Sequence, residues 1–335
     1  MKTDSYEINL GNFDNDIRNK AESNAITFWA EQARKISWFK EWEQTLDWKP
    51  PFAKWFVGGK INASFNTLDV HQNDKSSKTA IFWEGEDGSS RIISYSALFT
   101  EVKKFSNVLK SLGVKSGDRV TIYLPMVPEL IISMLACARI GAIHIVVFSG
   151  FSAISLKGRV EDSQSKIIIT ADGGYRKGKI INLKEIVDEN AAIVDSVEHV
   201  IVLERIKNKI TINKKDKFWT DLMTNASDVC SPEELDSNHP LYILYTSGTT
   251  GKPKGVLHGI GGYLTHIYST YKWAFDIKDN DIYFCTADIG WVTGHSYVAY
   301  GPLLHGATQV MYEGAPDYPT PSRIWEIIQK YNVSI

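Results

Sequence analysis

The stretch Tyr245-Thr-Ser-Gly-Thr-Thr-Gly-Lys-Pro-Lys-Gly255 gathers residue types suited to one task, the handling of phosphate. Gly248, Gly251 and Gly255 permit backbone angles and close approaches that a Cβ would block. Ser247, Thr249 and Thr250 bring hydroxyl donors, Lys252 and Lys254 bring positive charge, and Pro253 stiffens the segment between the lysines. The spacing is not that of a Walker A loop, because counting from Gly248 puts Pro253 where the second glycine must stand. Nor is it a G-x-G-x-x-G fingerprint. Such composition is also that of a polar surface turn, but this density of glycines, hydroxyls and lysines favours phosphate.

The flanks must position that stretch. Residues 241–245 are apolar and β-prone, which predicts a buried strand leading in. Leu257, Ile260, Leu264, Ile267 and Tyr271 recur at steps of three and four, which predicts an amphipathic helix leading out. Strand, glycine-rich loop and helix form a setting in which backbone N–H groups can point at a phosphate.

Two further stretches carry groups that could meet a ligand. Arg176-Lys-Gly-Lys179 is a compact basic turn after a strand, readable as an exposed charged loop or as a phosphate contact. Asp288-Ile-Gly-Trp-Val-Thr-Gly-His295 mixes an apolar wall with a hydroxyl, and composition alone equally allows a strand end and turn inside a core. His295 can be a core histidine or a site residue. No second His or Cys stands near it at ligand spacing, so no metal site is assigned.

Stepping outward, residues 78–203 alternate strand and helix patterns. Strands are predicted over 79–83, 91–94, 120–124, 143–148, 165–170 and 199–203, and helices over 95–112, 127–140 and 152–163. Repeated β-α-β units with Val/Ile-rich strands imply a mostly parallel sheet covered on both faces. Arg205 to Lys217 is rich in Lys and Arg and reads as a solvated, hairpin-like surface. The polar run 224–239 predicts a connection between two sheets, after which a second α/β unit continues through 281–285, 296–304, 307–312 and a helix at 324–331. Residues 1–75 hold Trp29, Trp38, Trp42, Trp48 and Trp55, with a helix predicted over 21–36, and are expected to wrap onto the main body by burying these rings.

The 335 residues exceed one ordinary core. A net charge of −2 gives no electrostatic case for a nucleic-acid or membrane-surface partner. The most apolar stretch, 127–148, is broken by Glu129, Arg139 and His144. No signal peptide is visible, and Cys137, Cys230 and Cys285 are odd in number and far apart, which together suit reduced thiols in the cytoplasm. Residues 333–335 read as the start of an apolar strand, so the chain is expected to be the N-terminal part of a longer protein.

Residues 246–255 resemble the phosphate loop of the adenylate-forming enzymes, which include acyl-CoA synthetases, luciferases and peptide-synthetase adenylation domains. Trp55-Phe-Val-Gly-Gly-Lys-Ile-Asn62, Val147-Phe-Ser-Gly-Phe151, Thr170-Ala-Asp-Gly-Gly-Tyr-Arg-Lys-Gly-Lys179 and Ala287-Asp-Ile-Gly-Trp-Val-Thr-Gly-His-Ser-Tyr297 narrow the resemblance to AMP-forming acetyl-CoA synthetases, over residues 12–335. The resemblance implies an α/β fold made of two βα-layered subdomains of that family's large N-terminal domain. On this expectation residues 1–75 are a helical extension, 76–230 a first subdomain and 231–335 the start of a second, left incomplete, with the C-terminal domain absent.

The implied reaction joins acetate, ATP and CoA into acetyl-CoA, AMP and pyrophosphate through acetyl-adenylate, with Mg²⁺ sharing the phosphate charge and no ligand for it identifiable. Thr246, Ser247, Gly248, Thr249, Thr250, Gly251, Lys252, Lys254 and Gly255 would hold the ATP phosphates. Phe148, Ser149, Gly150, Arg176, Lys179, Thr293 and Asp317 would meet CoA, and Val292 and Thr293 would line the acyl pocket. Ser149 departs from the family's Phe-Gly-Gly, and Lys179 stands where arginine is common, which keeps charge but loses bidentate geometry. The ribose-binding groups and the catalytic lysine of the family fall beyond Ile335, so the chain alone is expected to be inactive. Propionate or 3-hydroxypropionate as substrate, and a non-catalytic nucleotide- or CoA-binding fragment, are the alternatives; a kinase-like transferase lacks its Walker A spacing.

Overall fold

A computed structural model describes residues 15–246 and 253–335. The strands follow the apolar runs. A seven-stranded sheet has the order Asp216–Phe218, His199–Leu203, Ile167–Ala171, Arg119–Tyr123, Ile143–Val146, Pro240–Thr246 and Lys254–Gly259. All neighbours in it are parallel except the last pair. Its central strands are buried on both faces, as continuous Val/Ile runs require. Helices Tyr95–Ser111, Pro128–Arg139 and Ala153–Ser163 lie where the three-and-four spacing places them. Ser94 and Ser152 cap two of them by accepting the amides of Ala97 and Ser155.

A smaller sheet has the order Ile282–Phe284, Thr308–Glu313, Thr79–Gly85, Ser90–Ser94. The sheets therefore interleave in sequence and do not divide near residue 230. Residues 79–94 belong with 282–313, and residues 240–259 complete the first sheet. The run 224–239 accordingly connects elements of one sheet, not two. The run 205–217 contains no hairpin; it ends in the short parallel edge strand Asp216–Phe218, whose partner is His199–Leu203.

The described part of the N-terminal extension is not purely helical. Asn24 breaks the expected helix into Asn15–Ser23 and Ala25–Ala33 by capping the second, and a hairpin of Gln44–Lys49 with Phe52–Val57 follows. Alternation of Leu46, Trp48 and Ala53, Trp55 suits an extended ribbon and not a helix. Asn62 Nδ2 fastens this segment to the body, donating to the carbonyls of Ala138, Arg139 and Glu233 at 3.0, 3.1 and 2.9 Å.

The connection leaving Arg119–Tyr123 runs to Ile143–Val146 on one side, and the connection leaving Ile143–Val146 runs back to Ile167–Ala171 on the other. Diverging connections open a crevice at the carboxyl ends of parallel strands, the usual place for a ligand in an α/β sheet. The turns that leave those ends contain Phe148–Gly150 and Gly174–Lys179.

Candidate functional site

The stretch expected to hold phosphate joins two strands that pair as a β-hairpin. Pro240–Thr246 and Lys254–Gly259 pair antiparallel, with Tyr245 opposite Gly255 and Thr246 opposite Lys254. Thr246 and Lys254 thus stand together at its mouth. Ser247, Gly248, Thr249, Thr250, Gly251 and Lys252 lie outside the described residues. Gly255 allows the strands to close, because a Cβ there would stand 2.9 Å from Ile243 Cγ2 and 3.3 Å from the Tyr245 ring.

The expected strand–loop–helix order is corrected by the extra strand. The helix is Ile260–Phe275, and Gly259 ahead of it is extended at φ −86°, ψ 161°. Leu257, expected on the helix's apolar stripe, is a strand residue and 58% exposed. The helix N-terminus is thus separated from Thr246 and Lys254 by the whole strand Lys254–Gly259 and does not adjoin the expected phosphate loop.

At the carboxyl end of Ile143–Val146, Phe148, Ser149 and Gly150 form a tight turn. The buried Tyr123 fixes it by donating its hydroxyl to the carbonyls of Ser149 and Phe151 at 2.9 and 2.8 Å. A Cβ on Gly150 would come within 2.9 Å of Phe148 Cζ, so the Phe148 ring folds over a position that must be bare. Beside it rises the hairpin Gly174–Arg176 and Lys179–Ile181, in which Arg176 and Lys179 are register partners. The Arg176 guanidinium sits 5.8 Å from the Phe148 ring centroid, within cation–π range. Asp317 reaches the same hairpin, pairing with Lys177 Nζ at 2.9 Å, and Lys177 holds its carboxyl below the ordinary range.

Of these residues Phe148, Ser149 and Arg176 line a cavity of about 220 Å³, together with Asp288, Trp291 and Glu313. Asp288 turns its segment sharply. Its Oδ1 accepts the Gly290 amide at 2.7 Å and its carbonyl accepts the Trp291 amide at 3.1 Å. Burial raises the Asp288 carboxyl, while Arg176 acts to lower it. The Trp291 indole then lies 6.2 Å from both Phe148 and Phe151.

Val292 and Thr293, the next residues, face away from that cavity. They line a second hollow of about 540 Å³ together with Trp55, His258, Tyr263 and Ser296. Leu257 also lines it and follows Lys254 by three strand positions, about 10 Å. Trp291 therefore stands between Thr293, expected at both CoA and the acyl group, and the cavity lined by Phe148, Ser149 and Arg176.

Beneath the second hollow, His258, Tyr242, His144 and His295 are packed ring on ring, with centroids 4.3 Å apart for His258–Tyr242, 5.4 Å for His144–Tyr242 and 4.6 Å for Tyr242–His295. His144 Nε2 is 2.7 Å from the Tyr300 hydroxyl. His295 is thus a core histidine under the site wall. Burial holds His295 and His305 down at about 4, from 6.5 ordinarily, and pushes His144 well below the ordinary value.

The fold keeps these rings neutral, whereas the unfolded chain protonates them near pH 6.5. The unfolded state then binds more protons between pH 6.5 and about 4, so stability is lost as pH falls through that window. A histidine so displaced contributes about 3 kcal/mol above the window. Urea denaturation midpoints measured from pH 7.5 to 4.5 should fall steadily below about pH 6.5; a flat profile would show that these rings are not kept neutral by burial.

Residues 68–335 match the family model described as AMP-binding enzyme, and residues 15–67 match that described as acetyl-coenzyme A synthetase N-terminus. The chain belongs to the AMP-binding enzyme family. Among this family's members, an acetyl-coenzyme A synthetase of Chlorobaculum tepidum is 54% identical over 92% of the chain and 47% of its own length. One of Rubrobacter xylanophilus is 55% identical over 92% of the chain and 48% of its own length. The solved acetoacetyl-CoA synthetase of Streptomyces lividans is 25% identical, with a TM-score of 0.88 over 94% of this chain and 48% of that one. The chain spans about half the length of the curated relatives it matches.

Among the described residues, the family's expected CoA contacts Phe148, Ser149, Gly150, Arg176, Lys179 and Asp317 come together, and Thr293 stands across Trp291 from them. Trp291, Asp288 and Tyr123 are the site-building residues that the sequence reading did not single out. For Trp291 and Asp288 a signal existed in the pair of glycines at 290 and 294, which allow the segment to fold on itself; a Cβ on Gly294 would collide with the Asp288 carbonyl. For Tyr123, the last residue of a buried strand, none existed. The described residues contain no group of three or more His, Cys, Asp or Glu able to hold a metal ion. No helix among them is long and apolar enough to cross a membrane.

Proposed function

We propose that this chain carries the CoA- and acyl-binding part of an AMP-forming acetate–CoA ligase. A carboxylate oxygen of acetate attacks the α-phosphorus of ATP, and the bond to pyrophosphate breaks. The CoA sulfur then attacks the acyl carbon of acetyl-adenylate, loses its proton, and AMP leaves. Both ATP and the acid are anions, so the first step needs fixed positive charge and oriented donors at the phosphates. Thr246, Lys254, Gly255 and the loop between them fill that role. Val292 and Thr293 bound the acyl group, and Phe148, Ser149, Gly150, Arg176, Lys179, Thr293 and Asp317 receive CoA. No covalent nucleophile is called for, and the chain's contribution is charge and orientation.

The observation that carries this reading is that the Arg176/Lys179 hairpin follows the carboxyl end of Ile167–Ala171 and the Thr246/Lys254 pair stands at the carboxyl end of Pro240–Thr246, two parallel strands of one sheet, with the Trp291–Thr293 segment between the two hollows. The identity to acetyl-coenzyme A synthetases supports acetate.

The test is acetate-dependent exchange of labelled pyrophosphate into ATP by the complete gene product that carries this sequence, followed by CoA-dependent thioester formation. Acetate should exceed propionate and 3-hydroxypropionate in kcat/KM; one methylene is worth about 10- to 200-fold. Preference for either larger acid would reassign the substrate. The 335 residues expressed alone should give no exchange. CoA or ATP binding with no exchange by the complete product would favour a non-catalytic binding protein instead.

A further inference from the structure

Glu86 lies in the turn between Thr79–Gly85 and Ser90–Ser94, in the smaller sheet, far in sequence from every residue assigned above. Its carboxylate reaches across to the basic hairpin. Oε1 accepts the Gly178 amide at 2.8 Å and Oε2 accepts the Lys177 amide at 3.0 Å. Oε2 also accepts the Ala315 amide at 2.8 Å, in the segment that delivers Asp317.

The hairpin tip needs such a partner. Lys177 and Gly178 have φ of 52° and 70°, so successive amides converge in a turn of the kind that cradles an anion. Glu86 fills that cradle itself. The tip is also closed by Tyr318, whose hydroxyl a Cβ on Gly178 would strike, and Lys177 is taken by Asp317. Among the described residues Arg176 and Lys179 make no ion pair, so the charges left open are the register pair flanking the occupied turn.

We infer that Glu86 is a positioning residue for the thiol substrate's nucleotide: by binding the amides of Lys177, Gly178 and Ala315 it sets the spacing at which Arg176 and Lys179 meet phosphate. Glu86 touches no substrate. It locks the turn so that incoming phosphate meets the two side chains and not the turn's own amides, and it ties the hairpin to the wall that carries Asp317. Three charge-assisted bonds from one carboxylate to two separate segments cannot be supplied by a shorter or uncharged side chain. This inference rests on the proposed CoA role of Arg176 and Lys179.

The test uses the complete gene product and two readouts. In Glu86→Ala the KM for CoA should rise about tenfold, and in Glu86→Gln, which keeps one carbonyl acceptor, about threefold. Acetate-dependent pyrophosphate exchange should be unchanged in both, since adenylation does not use this hairpin. With pantetheine as acceptor, which has no phosphate, variants and wild type should have the same KM. An unchanged KM for CoA, an equal rise with pantetheine, or a parallel fall in exchange would each overturn the inference. If Glu86→Ala does not fold, Glu86→Gln decides alone. If wild type itself shows no exchange, the proposed function fails, and calorimetric affinities of wild type and Glu86→Gln for CoA and pantetheine still decide the role of Glu86.

Discussion

Replacing Arg139 with alanine is expected to lower the melting temperature by roughly 10 °C, from a loss of about 3–5 kcal/mol on breaking a buried ion pair. Arg139 is the last residue of helix Pro128–Arg139 and is 2% exposed. Its guanidinium forks onto Asp69 at 2.7 and 3.0 Å, and its Nε donates to the Cys230 carbonyl at 2.7 Å. Alanine would leave Asp69 and that carbonyl without a donor, and would open a void beside Phe99, whose ring lies 5.3 Å from the guanidinium.

The consequence reaches the site, because the anchored segment continues back to Trp55, which lines the second hollow. The double change Arg139→Met with Asp69→Leu should recover most of the loss, since an apolar pair of similar volume removes both desolvation costs. Thermal melts followed by circular dichroism would decide it. A shift under about 2 °C in Arg139→Ala would mean that the pair contributes no more than a surface one.

What could be read in the sequence, and what could not, follows from the range of the forces involved. The helices between residues 95 and 163 and the central strands came from local periodicity and Val/Ile density, and each lies within a few residues of its expected place. Sheet membership is different in kind. Nothing local in residues 79–94 says that their partner is Thr308–Glu313, because register is fixed by pairing across more than two hundred residues. The strand Lys254–Gly259 was hidden for a related reason. Leu257 fits a helical stripe by spacing, but its backbone is bound instead by the opposite strand, with Leu257 facing Ile243.

The site divides along the same line. Lysines, glycines and hydroxyls at short spacing made residues 246–255 a phosphate candidate from type and order, whereas Arg176 and Lys179 became CoA candidates only through the family resemblance. Trp291, Tyr123 and Glu86 act through contacts with segments remote in sequence, and no spacing rule points to them. A glutamate in a turn is ordinarily a solvated charge; only the three amides it meets distinguish Glu86.

Lys254→Ala should reduce acetate-dependent pyrophosphate exchange by about 10²–10³-fold, the usual loss when one fixed donor at a developing charge is removed. Lys254 is held in register against Thr246, at the mouth of the loop, so its backbone position is set by the hairpin and not by the ligand. Its side chain is exposed and makes no ion pair among the described residues, which leaves the ammonium available and makes a structural role for it small.

The melting temperature of Lys254→Ala should therefore stay within about 2 °C of wild type while the rate collapses, a separation that a folding defect cannot produce. If Lys254 acts mainly on the leaving pyrophosphate, kcat falls more than the KM for ATP rises, because the interaction strengthens as the bond breaks. Lys177→Ala is the matched control. That lysine is also exposed and cationic, but Asp317 holds it at the tip of the Gly174–Ile181 hairpin, so exchange should be unaffected. Undiminished exchange in Lys254→Ala would remove this loop from the adenylation step, and with it the reading of residues 246–255 as the phosphate site.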